Sequence, residues 1–240
     1  MRYYYIESDG RVFLVEEAGK LRFPRSTDEF DFEIEIIARM PIEGQEVLFC
    51  KPKLSTHPQH WWHKDEIPLF DQAEPIVRLA VNISLPRVTA KAVILKNNKI
   101  LMVKPKRGLT TGRWTLPGGF VGYGESPKEA VEREVQEEVG AECHARELLS
   151  VESGLGKQTA FHWHTFFYEV ELLSDTLKPA PDEIEQIAWF APDDALKSLG
   201  YSGEIKQKIQ ELFSGKAPSH TAFEGCNGSR DGYQGPAPNT

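Results

Sequence analysis

The sequence predicts an α/β protein: a small β-rich N-terminal domain followed by a larger unit in which strands and helices alternate. Three observations support this. First, the opening 50 residues hold short β-prone runs, Tyr3 to Ile6, Arg11 to Val15, Phe32 to Ala38 and Glu46 to Cys50. Asp9-Gly10, Gly19 and Glu43-Gly44 separate them as turn signals. Second, a bounded helix runs from Ser126-Pro127 to a stop at Gly140. Third, strand-like Thr165 to Leu172 and Glu185 to Phe190 precede helical Pro192 to Leu199 and Gly203 to Phe213.

Between these landmarks, residues 52 to 75 carry Pro52, Pro58, Pro68 and Pro75 and read as a linker or covering loop. Arg87 to Leu95 and Lys99 to Val103 read as strands joined by a turn at Asn97-Asn98. After Gly215, Gly, Pro, Ser and Asn dominate, which predicts a disordered tail. The expected division is 1–85, 86–214 and 215–240. A chain of 240 residues has room for one catalytic domain and an appendage.

Composition narrows the function classes. A net charge of −8 argues against a nucleic-acid binder, whose footprint is a basic face. Cys50, Cys143 and Cys226 show no paired spacing, so neither a zinc ribbon nor a disulfide framework is expected, and a reducing cytoplasm fits best. The N-terminus lacks an apolar signal core, and no stretch approaches the roughly 18 apolar residues of a membrane span.

The chemistry is concentrated between Gly119 and Ala141. At about 100° per residue, Val131, Val135 and Val139 form an apolar stripe, and Glu134, Glu137 and Glu138 share an adjacent arc. Like charges at such spacing destabilise a helix by tenths of a kcal/mol per pair, about 0.2–0.5. A divalent cation would reverse the sign. Arg133, four residues before Glu137, is placed to pair with it and hold its rotamer. A bare Glu-x-x-Glu-Glu reads best as a solvated acidic face. Its surroundings decide otherwise.

Glycine, five residues, glutamate, seven residues, then Arg-Glu-aliphatic-any-Glu-Glu-any-Gly resembles the Nudix box at every specified position through Gly140. Only Ala141 departs, standing where the family has a bulkier aliphatic. Trp114 to Gly118 and Trp189-Phe190 extend the resemblance to about residues 86 to 214. It implies an α/β/α sandwich on a mixed sheet and hydrolysis of a nucleoside diphosphate linked to another group. It also implies Mg²⁺ or Mn²⁺ held by Glu134, Glu137 and Glu138, with the Gly119 carbonyl as a further candidate ligand. The family leaves the general base open between a box glutamate such as Glu137 and a later one, for which Glu183 is the candidate.

Lys104, Lys106, Arg107 and Arg113 are candidate phosphate contacts in an otherwise acidic chain. The run from His57 to Glu66 matches no metal spacing and reads as packing, with base stacking by Trp61 or Trp62 as the lesser option. His162 and His164 lie on a strand and read as structural or cleft residues. Subgroup marks are missing: Gly156 and Lys157 stand where ADP-ribose enzymes carry a proline, and Thr159 and Ala160 where dinucleoside-polyphosphate enzymes carry a tyrosine. The β-rich extension, common in such enzymes and able to support a homodimer, tilts the expected substrate to ADP-ribose or a nucleotide sugar. Alternatives are a nucleoside-triphosphate sanitising pyrophosphatase and a noncatalytic ligand sensor.

Overall fold

A computed structural model describes residues 1–56, 58–108, 110–156, 161–201 and 203–215. The expected tail beyond Gly215, His57, and the comparison made at Lys157, Thr159 and Ala160 lie outside the described residues.

The N-terminal sheet is built from β1 (Arg2–Ser8), β2 (Arg11–Val12), β5 (Ile34–Ile42), β6 (Gln45–Pro52) and β7 (Trp62–His63), in the order β5-β6-β1-β2-β7. A separate hairpin joins β3 (Val15–Glu17) and β4 (Lys20–Arg22). β1 pairs in parallel with β6, and both strands are covered on both faces. Tyr3, Tyr5, Val47 and Phe49 face one core, while Tyr4, Ile6, Leu48 and Cys50 face the other. That is the alternation a pleated strand imposes.

The segment expected as a linker is instead packed. Trp62 extends the sheet, Ile67 is fully buried, and Ala73 bridges to Leu21. Helix α1 (Pro75–Ser84) follows and buries Ile76, Val77, Ala80 and Val81 against the first core. Pro75, counted as a helix breaker from sequence, occupies the first turn, where its missing N–H leaves no helical bond unmade. Trp61 packs on Phe13 and Phe32, and Trp62 on Phe70, so both are committed to this half of the chain.

The second half contains β8 (Arg87–Val93), β9 (Leu95–Lys96), β10 (Lys99–Pro105), α2 (Pro127–Val139) and β11 (Cys143–Leu155). It is completed by β12 (His162–Leu172), β13 (Ile184–Phe190), α3 (Pro192–Ser198) and α4 (Gly203–Phe213). Asn97 and Asn98 both take positive φ, 49° and 56°, the signature of a two-residue hairpin turn. Two three-stranded sheets result, β13-β10-β9 and β11-β12-β8, with β12 parallel to β8 and antiparallel to β11. Alternation along β8 and β10 sends Ala90, Ala92, Leu101 and Val103 to one core and Val93, Ile100 and Met102 to another. The valine stripe of α2 fills the first core; Ala195, Leu199, Ile205 and Ile209 of the last helices fill the second. Helix, sheet and helix thus form the α/β/α layering, and the strands are mixed. β11, thirteen residues long, was not anticipated from sequence.

Among the described residues no helix is long and apolar enough to cross a membrane. Val135 is fully buried in the α2 core. Val135→Ala is expected to lower unfolding free energy by about 2–3 kcal/mol, read from urea denaturation with unchanged m-value.

Candidate active site

The site is a helix facing a glycine loop. Ser126 caps α2 by accepting from the Glu129 N–H at 3.2 Å, while the Glu129 carboxylate accepts from the Ser126 N–H at 2.8 Å. Gly140 ends the helix in the left-handed region, φ 70°. Across from the helix, the loop from Pro117 to Val121 lies along β8. Ala92 donates to the Pro117 carbonyl and Ala90 to the Gly119 carbonyl, each at 2.9 Å, and Val121 donates to Val88 at 3.0 Å. This clamp requires glycine at one position and packs a second one closely. Gly118 has φ 126°, and a Cβ there would stand 2.1 Å from the Ala90 oxygen. A Cβ on Gly119 would stand 2.5 Å from Oε1 of Glu134. At Gly118 backbone meets backbone at a distance that no side chain would permit, whereas at Gly119 a side chain would displace the Glu134 carboxylate.

Arg133 organises the acidic side. Its Nε and one terminal nitrogen donate to the two oxygens of Glu125, at 2.8 and 3.1 Å. The other terminal nitrogen donates to Glu134 and Glu137, both at 2.9 Å, and the Phe120 carbonyl accepts at 3.0 Å. The sequence reading assigned Arg133 one partner, Glu137; the structure gives it three carboxylates and a carbonyl. These bonds raise its pKa, the Glu125 bond most, so the guanidinium is permanently charged. Glu125 also accepts from the Gly122 N–H at 2.7 Å, and its carboxyl is held below the usual range, chiefly by Arg133. Glu125 is a fixed position of the box, so its presence was visible, but its forked bond to Arg133 was not.

Glu134 and Glu138 lie deeper than Glu137, whose side chain is 53% exposed against 15% for Glu134. Glu138 accepts from the Gly118 N–H at 2.8 Å. Burial pushes its carboxyl up to about 7, opposed by Lys91 and the Gly118 bond, and raised further by Glu134 and Glu183. Glu134 is raised too, again first by burial. Lys91, on β8, donates to the Leu116 carbonyl at 3.2 Å and to the Gly118 carbonyl. It was missed from sequence because nothing local distinguishes a lysine in an alternating strand.

The other candidates fall on the site's flank. Glu183 pairs with Arg107, and its charge is felt at Glu138. Lys104 pairs with Glu185 at 2.8 Å and Lys106 donates to the Pro181 carbonyl, so these cations brace the entry to β13. The Arg113 N–H donates to the Thr110 carbonyl at 3.0 Å, within the loop before the box. His164 bonds Ser153 at 2.7 Å, a cross-strand role.

Among the described residues no group of three or more His, Cys, Asp or Glu side chains is arranged to hold a metal ion. The donor set nevertheless fits a hard cation such as Mg²⁺: Glu134 and Glu138 offer only oxygen, and their raised pKa values mark negative charge that the fold itself leaves undercompensated. The Gly119 carbonyl, with one bond from Ala90, keeps a second lone pair.

Because the Glu138 carboxyl is raised, the folded chain keeps its proton where the unfolded chain has lost it. Its contribution to folding falls as pH rises from about 4.5 to about 7 and then levels. Cation affinity moves oppositely, since the proton must leave first. Mn²⁺ titration calorimetry is expected to show affinity weakening by roughly tenfold per pH unit below 7 for each proton displaced, with a shallower slope in Glu138→Gln. A flat wild-type profile would contradict the assignment.

The NUDIX domain family model matches residues 85–210. The chain is 36% identical over 105 residues to an ADP-ribose pyrophosphatase of Methanocaldococcus jannaschii, covering 44% of this chain and 62% of that protein. It is 30% identical over 132 residues to an NAD-capped RNA hydrolase NudC of Pseudomonas aeruginosa, covering 53% and 45%. A solved NUDIX hydrolase from Nitrosomonas europaea is 27% identical, covering 55% of this chain and 91% of that one, with a TM-score of 0.47. The chain spans less than two thirds of the length of either curated relative. With the family match covering just over half of the chain, and the box glutamates on a capped helix against a glycine clamp, the chain belongs to the Nudix family.

Proposed function

We propose that the protein is a Mg²⁺-dependent pyrophosphohydrolase that cleaves a nucleoside diphosphate linked to another group, with ADP-ribose or a nucleotide sugar as substrate. The observation that carries this reading is the half-buried carboxylate pair Glu134 and Glu138 against Gly118 and Gly119. The names of relatives support the substrate class: one is an ADP-ribose pyrophosphatase and another acts on an NAD cap, both containing a nucleotide-linked diphosphate. Residues 86–214 carry the activity; residues 1–85 form a separate unit, supported by hydrophobic cores confined to each part. The described cysteines Cys50 and Cys143 are free thiols, pushed up to about 11 by burial.

When bound, Mg²⁺ supplies charge neutralisation for the diphosphate and makes water more acidic. The protein's own residues supply position. Glu134, Glu137 and Glu138 provide the oxygens, and Arg133, locked by Glu125, fixes the rotamers of Glu134 and Glu137. Lys91 pins the loop that carries Gly118. Glu183, paired with Arg107 and near enough for its charge to raise the Glu138 carboxyl, is our candidate to take a proton from attacking water.

A panel of ADP-ribose, nucleotide sugars, dinucleotides and oxidised nucleotides, with and without Mg²⁺, tests the reading. Metal-dependent release of a mononucleotide and a sugar phosphate is expected. Glu138→Gln should lose at least about 100-fold in kcat, and Glu125→Gln about 10- to 100-fold through loss of the forked bond. No metal-dependent cleavage of any member would sink the enzyme reading; release of inorganic pyrophosphate from triphosphates alone would move it to a sanitising pyrophosphatase.

A further inference from the structure

Where the two halves of the chain meet lies a pocket of about 500 Å³ that shares no residue with the carboxylate site. Its origin is a mismatch of lengths. Helix α1 has ten residues and extends about 15 Å, whereas β5, with nine, runs about 30 Å, so the helix covers only part of the sheet face on which it packs. Past Ser84, its last residue, the lining passes to β1, β5 and β6. Leu155 at the end of β11 and His162 at the start of β12 complete it from the second half. The volume falls within the roughly 300–1,000 Å³ of small-molecule sites.

A line of hydrogen bonds crosses the pocket. Lys64 donates to both oxygens of Glu7, at 2.8 and 2.9 Å, and its side chain is only 12% exposed. Tyr5 also donates to Glu7, and its oxygen lies 2.8 Å from Oγ of Ser84, which donates to the Val81 carbonyl at 2.7 Å. Burial, and after it Glu7, push the Tyr5 hydroxyl well above its usual pKa, so it keeps its proton. The Glu7 carboxylate and the carbonyl only accept, which leaves two hydroxyl protons to serve three contacts. Lone pairs therefore face each other at one of them, and the group is short of a donor. Lys64 is in the reverse position. An ammonium has three N–H bonds, and Glu7 takes two. The third is open to an acceptor.

The formal charges of the lining balance: two carboxylates, Glu7 and Asp9, and two ammonium groups, Lys51 and Lys64. The pKa of His162 is lowered, first by burial, so its ring adds no charge at neutral pH. A ligand with net charge would upset this balance and carry a desolvation cost. Ile37 and Leu155, each 47% exposed, supply accessible apolar surface.

We infer that this pocket binds a small zwitterion with an apolar side chain, an amino acid of the leucine or phenylalanine kind. Its ammonium group donates to Glu7 and Ser84, its carboxylate accepts from Lys64 and Lys51, and its side chain lies on Ile37 and Leu155. Such a molecule is neutral overall, carries a donor and an acceptor side by side, and has an apolar body. An alkyl carboxylate lacks the donor, an alkylamine lacks the acceptor, and a nucleotide brings unbalanced negative charge. Because Leu155 and His162 belong to the second half, the occupant touches both halves of the chain.

The test is calorimetric titration of the full chain with leucine, methionine and phenylalanine, and with three deletions of the same chemistry. These are 4-methylvalerate without the ammonium group, isoamylamine without the carboxylate, and glycine without the side chain. At least one of the three apolar amino acids should bind, and each of the two leucine analogues should bind roughly 10- to 150-fold more weakly than leucine, as expected for a lost charged hydrogen-bonding group. Glycine should not bind. Lys51→Gln and Leu155→Glu, both at exposed positions, should weaken binding roughly 10-fold or more, with thermal unfolding showing that each variant is folded. Absence of binding by all three amino acids, equal binding of leucine and its two analogues, or wild-type affinity in both variants would overturn the inference.

Discussion

Two carboxylates one helical turn apart, Glu134 and Glu138, are half-buried against a loop whose Gly118 no other residue can replace. Burying ionised carboxylates costs several kcal/mol apiece unless opposite charge and hydrogen bonds answer them. The surrounding structure supplies part of that answer. Arg133, oriented by Glu125, bonds Glu134; Gly118 bonds Glu138; Lys91 stands near both. What remains uncompensated shows as raised carboxyl pKa values, and it is this residue of negative charge that a divalent cation would satisfy. The valine stripe matters for the same reason, because it fixes the helix that presents these groups to the loop.

The parts of this arrangement written in local sequence were legible. A serine cap, a first-turn proline, a terminal glycine and valines at four-residue spacing define α2 without any tertiary knowledge. The acidic arc follows from the same periodicity. What escaped depends on distant pairing. Lys91, Trp163 and Arg87 reach the site's surroundings through the parallel β8–β12 ladder, whose partners lie far apart along the chain. Glu125 was visible as a position but not as the residue that aims Arg133. β11 escaped for a different reason: its register shifts twice against β12, and charged residues interrupt the alternation that marks a strand. Pro75 misled because proline opens a helix as readily as it breaks one.

The N-terminal sheet is not a passive appendage in this picture. Its core is closed by α1, and the end of α1 takes the bonds of Arg87, which in turn backs the rings beside the box. Packing in the first half is thereby joined to the rings beside the box in the second. The segment from Lys53 to Glu74 serves the same end, since Trp62, Ile67 and Ala73 knit it into the first core instead of leaving it as a tether.

Glu134 and Glu138, beside Gly119, are the groups proposed to hold the catalytic cation. Anomalous scattering from crystals grown with Mn²⁺ tests this directly. A peak bonded to carboxylate oxygens of Glu134 and Glu138, at about the 2.1 Å of a small dication's oxygen bonds, is expected, with no peak at that place in Glu138→Gln crystals. A fully occupied peak elsewhere, with these carboxylates still bonded only to Arg133 and Gly118, would contradict it.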